Sequence, residues 1–172
     1  MSTILRAALT AALLSCSVAL SAQAYQTAVG LRLGSPLALS LKHYLTEGGA
    51  VELYGGFRSY GFINRVSVSG AYQSAYALNL DGALAPLAWY WGAGASVYFW
   101  NYDDGLFGPF VDRRDFSTTT VGVNGYLGLE YAFDGAPVVL TLDWVPTFLI
   151  GDSFDNGFAG NQGGLGVRYI LR

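Results

Sequence analysis

Charge is scarce in this sequence. Only 12% of its residues are Asp, Glu, Lys or Arg, about half the roughly 25% of an ordinary globular domain. A water-soluble fold covers its surface with such groups, and this chain does not carry enough of them. Its formal net charge of −3 is too small and of the wrong sign for a nucleic-acid partner. Cysteine, methionine and histidine each occur once. A lone cysteine forms neither an intrachain disulfide nor a thiolate cage, and a lone histidine cannot build a His-based metal cluster. Beyond residue 24 no stretch of about 18 consecutive apolar residues exists, which excludes a membrane-spanning helix there. What the chain has in quantity is hydrophobic residues (52%), aromatics (15%) and 23 glycines.

The start of the chain reads as a leader. "MSTILRAALTAALLSCSVALSAQA" carries one early cation, Arg6, an apolar run from Ala7 to Leu20, and the small-x-small ending Ala22–Gln23–Ala24, the form a signal peptidase accepts. The expected organisation is a cleaved signal peptide over 1–24 and one domain over 25–172. Leu13–Cys16 offers a competing lipoprotein box with Cys16 acylated, but the apolar run continues past the cysteine. On the first reading, cleavage removes the cysteine and the methionine together. An exported, charge-poor, apolar chain without a spanning helix is left with strands as its means of crossing a bilayer.

Period-2 alternation marks eight segments, at about 26–34, 37–45, 49–58, 63–79, 85–101, 119–133, 137–149 and 163–171. Most exceed the five or six residues typical of soluble strands and match the roughly 9 to 11 that a tilted strand needs to cross hydrocarbon. The faces separate cleanly. In the sixth segment Val121, Val123, Leu127, Leu129, Tyr131 and Phe133 oppose Gly122, Asn124, Tyr126, Gly128, Glu130 and Ala132; in the eighth, Leu165, Val167, Tyr169 and Leu171 oppose Gly164, Gly166 and Arg168. Glycines recur on the polar face, as a tightly curved barrel wall requires.

Connection lengths alternate in the same sense. "TEGG" (46–49), "LDGA" (80–83) and "DGAP" (134–137) are short, whereas Tyr102–Thr118 and Ile150–Gln162 are long; the first link, Gly34–Pro36, is short as well. Short turns at one end and long loops at the other are the habit of outer-membrane barrels. Trp89, Trp91, Phe99, Tyr131, Phe133 and Tyr169 fall on the apolar face as interface aromatics. Trp91 and Phe99 stand about 20 Å apart along the membrane normal, close to the height of the apolar band.

Mid-strand charges on the other face number three of each sign: Arg32, Lys42, Arg168 and Glu52, Glu130, Asp143. A barrel of eight strands has an interior just wide enough for side chains to fill, and an isolated buried ion is very costly. These six are therefore expected to pair as a lumen network that plugs the barrel, and a general porin is excluded on size.

The stretches "VGLRLGS", "LALSLKHYL", "VELYGGF", "WYWGAGASVYF", "VGVNGYLGLEYAFDGAPVVLTLDWVPTF" and "GGLGVRYIL" resemble the small outer-membrane β-barrel proteins of Gram-negative bacteria, akin to outer-membrane protein X and to the barrel of outer-membrane protein A. The resemblance spans most of residues 25–172 and is most specific over Leu127–Phe148. It implies an eight-stranded antiparallel up-and-down barrel in the outer membrane, and brings no catalytic residues with it. One departure is the ending: Leu171 stands where such barrels carry an aromatic read by the assembly machinery, and Arg172 follows.

Other chemistry is thin. His43 falls on the outer face near a strand end, and the nearest serine, Ser40, has inward parity, which argues against a serine–histidine pair on the wall. Phosphate-loop, nucleophile-elbow and dinucleotide motifs are absent. The loop "NYDDGLFGPFVDRRDFSTTT" mixes Asp103, Asp104, Asp112 and Asp115 with Arg113 and Arg114 at no calcium-loop spacing. Its Phe107, Phe110 and Phe116, with Phe154 and Phe158 of the last loop, are the candidate surface contacts. The expectation is an integral outer-membrane barrel with a structural or surface-contact role, no cofactor and no metal. Its partners would be outer-membrane lipids, the barrel assembly machinery and an unidentified surface ligand. The alternatives are a lipid-modifying barrel enzyme using His43 and a secreted lipocalin-like carrier of an apolar ligand. The carrier would need an apolar lumen.

Overall fold

The computed structural model describes residues 25–60, 63–102, 117–151 and 157–171. Its strands are β1 (Thr27–Ser35), β2 (Leu37–Tyr44), β3 (Gly49–Tyr60), β4 (Ile63–Ala77), β5 (Leu87–Tyr102), β6 (Ser117–Ala132), β7 (Val138–Trp144), β8 (Thr147–Gly151), β9 (Gly157–Ala159) and β10 (Gly163–Leu171). Every pairing is antiparallel, and β1 with β10 and β5 with β6 close the sheet on itself. Two pairs of short strands each form one wall strand, so the barrel has eight. Closure pairs the long wall strands on both sides and so removes most of the free edge; among the described residues β9 pairs on one side only, with β8.

Pro146 explains the first interruption. It has no N–H to give the ladder, yet its carbonyl accepts from Gly125 N at 2.8 Å. β6 keeps one register across the break, with Leu127 opposite Trp144 and Asn124 opposite Thr147. On the other edge Val145 and Pro146 face three residues, Gly160–Gln162, because Trp144 pairs with Gly163 and Thr147 with Ala159. That one extra residue makes a bulge, and the flanking Gly157 and Gly163 take φ values of 107° and 139°, a region that disfavours side chains.

The alternation in sequence becomes inside and outside. Along β2, Ala38, Ser40, Lys42 and Tyr44 are buried while Leu37, Leu39 and Leu41 are exposed. The same holds around the ring, so the molecule is polar within and apolar without. Inner glycines answer to wall curvature. A Cβ on Gly30 would lie 2.0 Å from the Val167 carbonyl oxygen, and one on Gly94 2.3 Å from that of Gly70.

Two connections differ from the sequence expectation. Ile150–Gln162 is not all loop: Gly151 completes β8, and Gly157–Ala159 forms β9 against it. The glycines around 157 hid a strand too short to show alternation. Conversely the turn expected at 80–83 widens to 78–86. Asn79 has a φ of 51°, Gly82–Leu84 form a 3-10 turn, and Pro86 cannot extend the ladder.

Candidate functional site

The concentration of chemistry lies inside the barrel. Each wall strand contributes at least one residue: Arg32 (β1), Lys42 (β2), Glu52 (β3), Gln73 (β4), Tyr90 (β5), Glu130 (β6), Asp143 (β7) and Arg168 (β10). All are buried. Period-2 alternation aims them inward, and the stagger of strands around a barrel brings residues distant in sequence into one layer.

Glu52 is the hub. Its Oε1 accepts from Arg32 Nη1 at 3.1 Å and from Arg168 Nη2, and its Oε2 accepts from Gln73 Nε2 at 2.6 Å. Arg32 Nη2 donates to Asp143 Oδ1 at 2.6 Å, while Tyr90 OH donates to Asp143 Oδ2 at 2.8 Å. Glu130 takes Lys42 Nζ at 2.6 Å on one oxygen and Tyr44 OH at 2.7 Å on the other. Arg168 spends its remaining donors on Ser40 Oγ (2.8 Å) and Thr141 Oγ1 (3.0 Å). Arg32 lies 4.5 Å from the Tyr54 ring centroid, and Lys42 4.5 Å from that of Tyr90. Every oxygen of the three carboxylates thus has a donor. That is the condition under which burying ions is tolerable.

Layers above and below are neutral or singly charged. Towards the short-turn end, Tyr25 and Tyr44 meet edge to face at 5.2 Å among Ala28, Ala50, Ala132 and Val139. The alanines leave room for the two rings, and the cluster fills the lumen beneath the ions. Towards the other end Ser69, Ser96 and Asn124 are chained by hydrogen bonds of 2.7 and 2.8 Å. Arg65 lies over the Tyr98 and Trp100 rings at 4.9 and 5.1 Å.

The six charged residues expected in the lumen are all there and form one layer. The alternation of the fifth segment also sets Tyr90 on the inward face, opposite Trp89 and Trp91, and Arg65, Gln73, Tyr44 and Tyr54 share that inward parity without being among the residues expected in the network. Balanced mid-strand ions mark a lumen by their charge, whereas a tyrosine is equally at home on the outer face.

Outside, Trp91, Phe99, Phe133 and Tyr169 are exposed and Trp89 and Tyr131 half-buried on the wall, as expected. Phe158 is not a loop residue: it lies in β9, 70% exposed, opposite Phe148. Phe107, Phe110, Phe116 and Phe154 lie outside the described residues. His43 is on the outer face, where its Nδ1 is 2.8 Å from Thr27 Oγ1, its cross-strand neighbour, whereas Ser40 points inward to Arg168. The hydroxyl facing His43 is thus that of Thr27, across the β1–β2 ladder. Among the described residues no three His, Cys, Asp or Glu side chains converge as a metal site.

Removing one bond from this layer gives a graded result. Tyr44→Phe takes one donor from Glu130 and leaves Lys42 in place. The expected loss is about 1.5 kcal/mol, the low end for a hydrogen bond to a charged group, read as a lower urea midpoint at unchanged slope.

Comparison of the chain with protein-family profiles, characterised proteins and solved structures finds no match.

Proposed function

We propose that this chain is an integral outer-membrane β-barrel protein of a Gram-negative bacterium, with a structural or surface-contact role and a sealed lumen. One observation carries the reading: the apolar surface is not a patch but a complete circumference. Leu31 on β1, Leu39 on β2, Leu53 on β3, Val68 on β4, Trp91 on β5 and Val123 on β6 are all exposed, and Leu142, Phe148 and Val167 continue the band to closure. A docked protein covers one side of a barrel. Only a surrounding apolar phase covers every side, and the charge-poor exterior is matched to it.

The filled lumen supports the rest. A carrier of lipocalin type would need an apolar interior, whereas the middle of this one is an ion-pair layer. The same layer, above an aromatic stopper, argues for a plug rather than a general diffusion pore. On this reading outer-membrane lipids and the barrel assembly machinery are the partners, and the leader at 1–24 directs export.

The test is fractionation together with gel mobility. The protein should sediment with outer membranes and run faster unboiled than boiled, because a closed barrel stays compact in cold detergent. Recovery from the soluble periplasm without a mobility shift would overturn the reading.

A further inference from the structure

The β4–β5 connection is the part of the rim that a simple hairpin does not need. The ladder ends at the pair Ala77–Ala88, and Leu78 N closes the turn onto Leu87 O at 3.0 Å. The intervening segment presents Leu78, Leu80 and Leu84 at 38%, 41% and 52% exposure. Three exposed leucines on a turn are unusual where a polar tip would suffice.

Its orientation is set by Tyr131, whose side chain points outward from β6. Its hydroxyl donates to the Ala83 carbonyl at 2.7 Å, so the 3-10 turn is held beside the wall rather than over the mouth. Next to it Tyr76 stacks on Trp89 at 5.2 Å, and Tyr131 meets Phe133 edge to face at 4.8 Å. Aromatics of this kind prefer the boundary between hydrocarbon and water, where an apolar body and a polar tip are both accommodated.

We infer that this turn is a fixed interfacial anchor: Leu80 and Leu84 insert into the headgroup–acyl boundary of the lipid leaflet at the short-turn end, with Tyr131 holding the flap against the barrel. The inference rests on the membrane reading above and deepens it. Lipid is the occupant because the flap continues the same apolar band that wraps all eight wall strands. The segment's one charge is Asp81 and it has no basic residue, so the attraction is apolar and does not call for anionic lipid.

The test uses the full chain with Cys16→Ser, which leaves no other thiol, and a bimane label at Leu84→Cys. A control label sits at Gly135→Cys, in the turn between β6 and β7 at the same end of the barrel, where an added Cβ meets nothing within 4 Å. In phosphatidylcholine vesicles carrying a doxyl group near the headgroup, the label at 84 should be quenched at least about twofold more than that at 135, as for side chains seated at the interface. Adding Tyr131→Phe should bring the two labels closer together. The mobility shift on boiling is read on the same samples. Equal quenching at 84 and 135 with the shift intact overturns the anchor and leaves the membrane reading standing; absence of both overturns both. Slower assembly of Leu80→Ser with Leu84→Ser in cells, together with equal quenching, would mark the flap as a contact for an assembly protein and also overturn the lipid assignment.

Discussion

Glu52→Leu should destabilise the barrel by about 3–5 kcal/mol, the cost of breaking a buried ion pair from one side. The reason is the position of Glu52 between two guanidinium groups. Arg32 would retain Asp143, but Arg168 would retain only the neutral oxygens of Ser40 and Thr141, and Gln73 Nε2 would lose its acceptor. The side chain is buried with the rest of the layer, so water cannot replace the lost charge. Urea unfolding in detergent micelles, followed by the mobility shift, measures the loss. The double variant Glu52→Leu with Arg168→Met separates a wrong charge balance from a wrong shape. It removes one ion of each sign, leaves Arg32 on Asp143 and Lys42 on Glu130, and should recover most of the stability, because apolar replacement of a whole buried pair is often neutral. If the double variant is as unstable as the single one, the layer acts through packing and not through charge.

The wall was legible in the sequence because one rule, alternation, decides both strand and face. Arg32 and Lys42 lie on opposite sides of the Gly34–Pro36 link, yet share the inward parity that the burial of β1 and β2 displays. The particular pairings were not legible. Lys42 lies opposite Glu52 in the β2–β3 register, but its Nζ reaches across the lumen to Glu130, and Glu52 is taken by arginines from β1 and β10. Which cation meets which carboxylate depends on stagger and side-chain reach, and neither is written in a period of two. The ends were harder still. Pro86 stops β5 short of its apolar pattern, whereas Gly157–Ala159 pairs although nothing in its composition marks a strand. Pro86 has no N–H to give the ladder, and Gly157–Ala159 pairs because β8 lies beside it; both cases turn on hydrogen-bond opportunity, not on hydrophobicity.

Leu39→Arg gives opposite results in lipid and in water, and so decides what surrounds the barrel. Leu39 is 66% exposed, faces outward as the third of the eight residues of β2, and pairs with Leu31, the middle residue of β1, and with Gly55 on β3. It touches nothing in the lumen. In a barrel bathed by water, exchanging this leucine for arginine would cost within about 0.5 kcal/mol, as surface substitutions do, and would improve solubility. In a bilayer the same guanidinium must enter the hydrocarbon near its midplane, at about 2–4 kcal/mol. The companion substitution Leu45→Arg, at the exposed residue just beyond the end of β2, should cost no more than about 1 kcal/mol, because the penalty falls away towards the interface. Folding equilibria of the two variants in phosphatidylcholine vesicles give the comparison directly. A depth-dependent cost places lipid against the leucines of the outer face; equal, small costs at both positions would place water there and remove the reason for the inverted polarity.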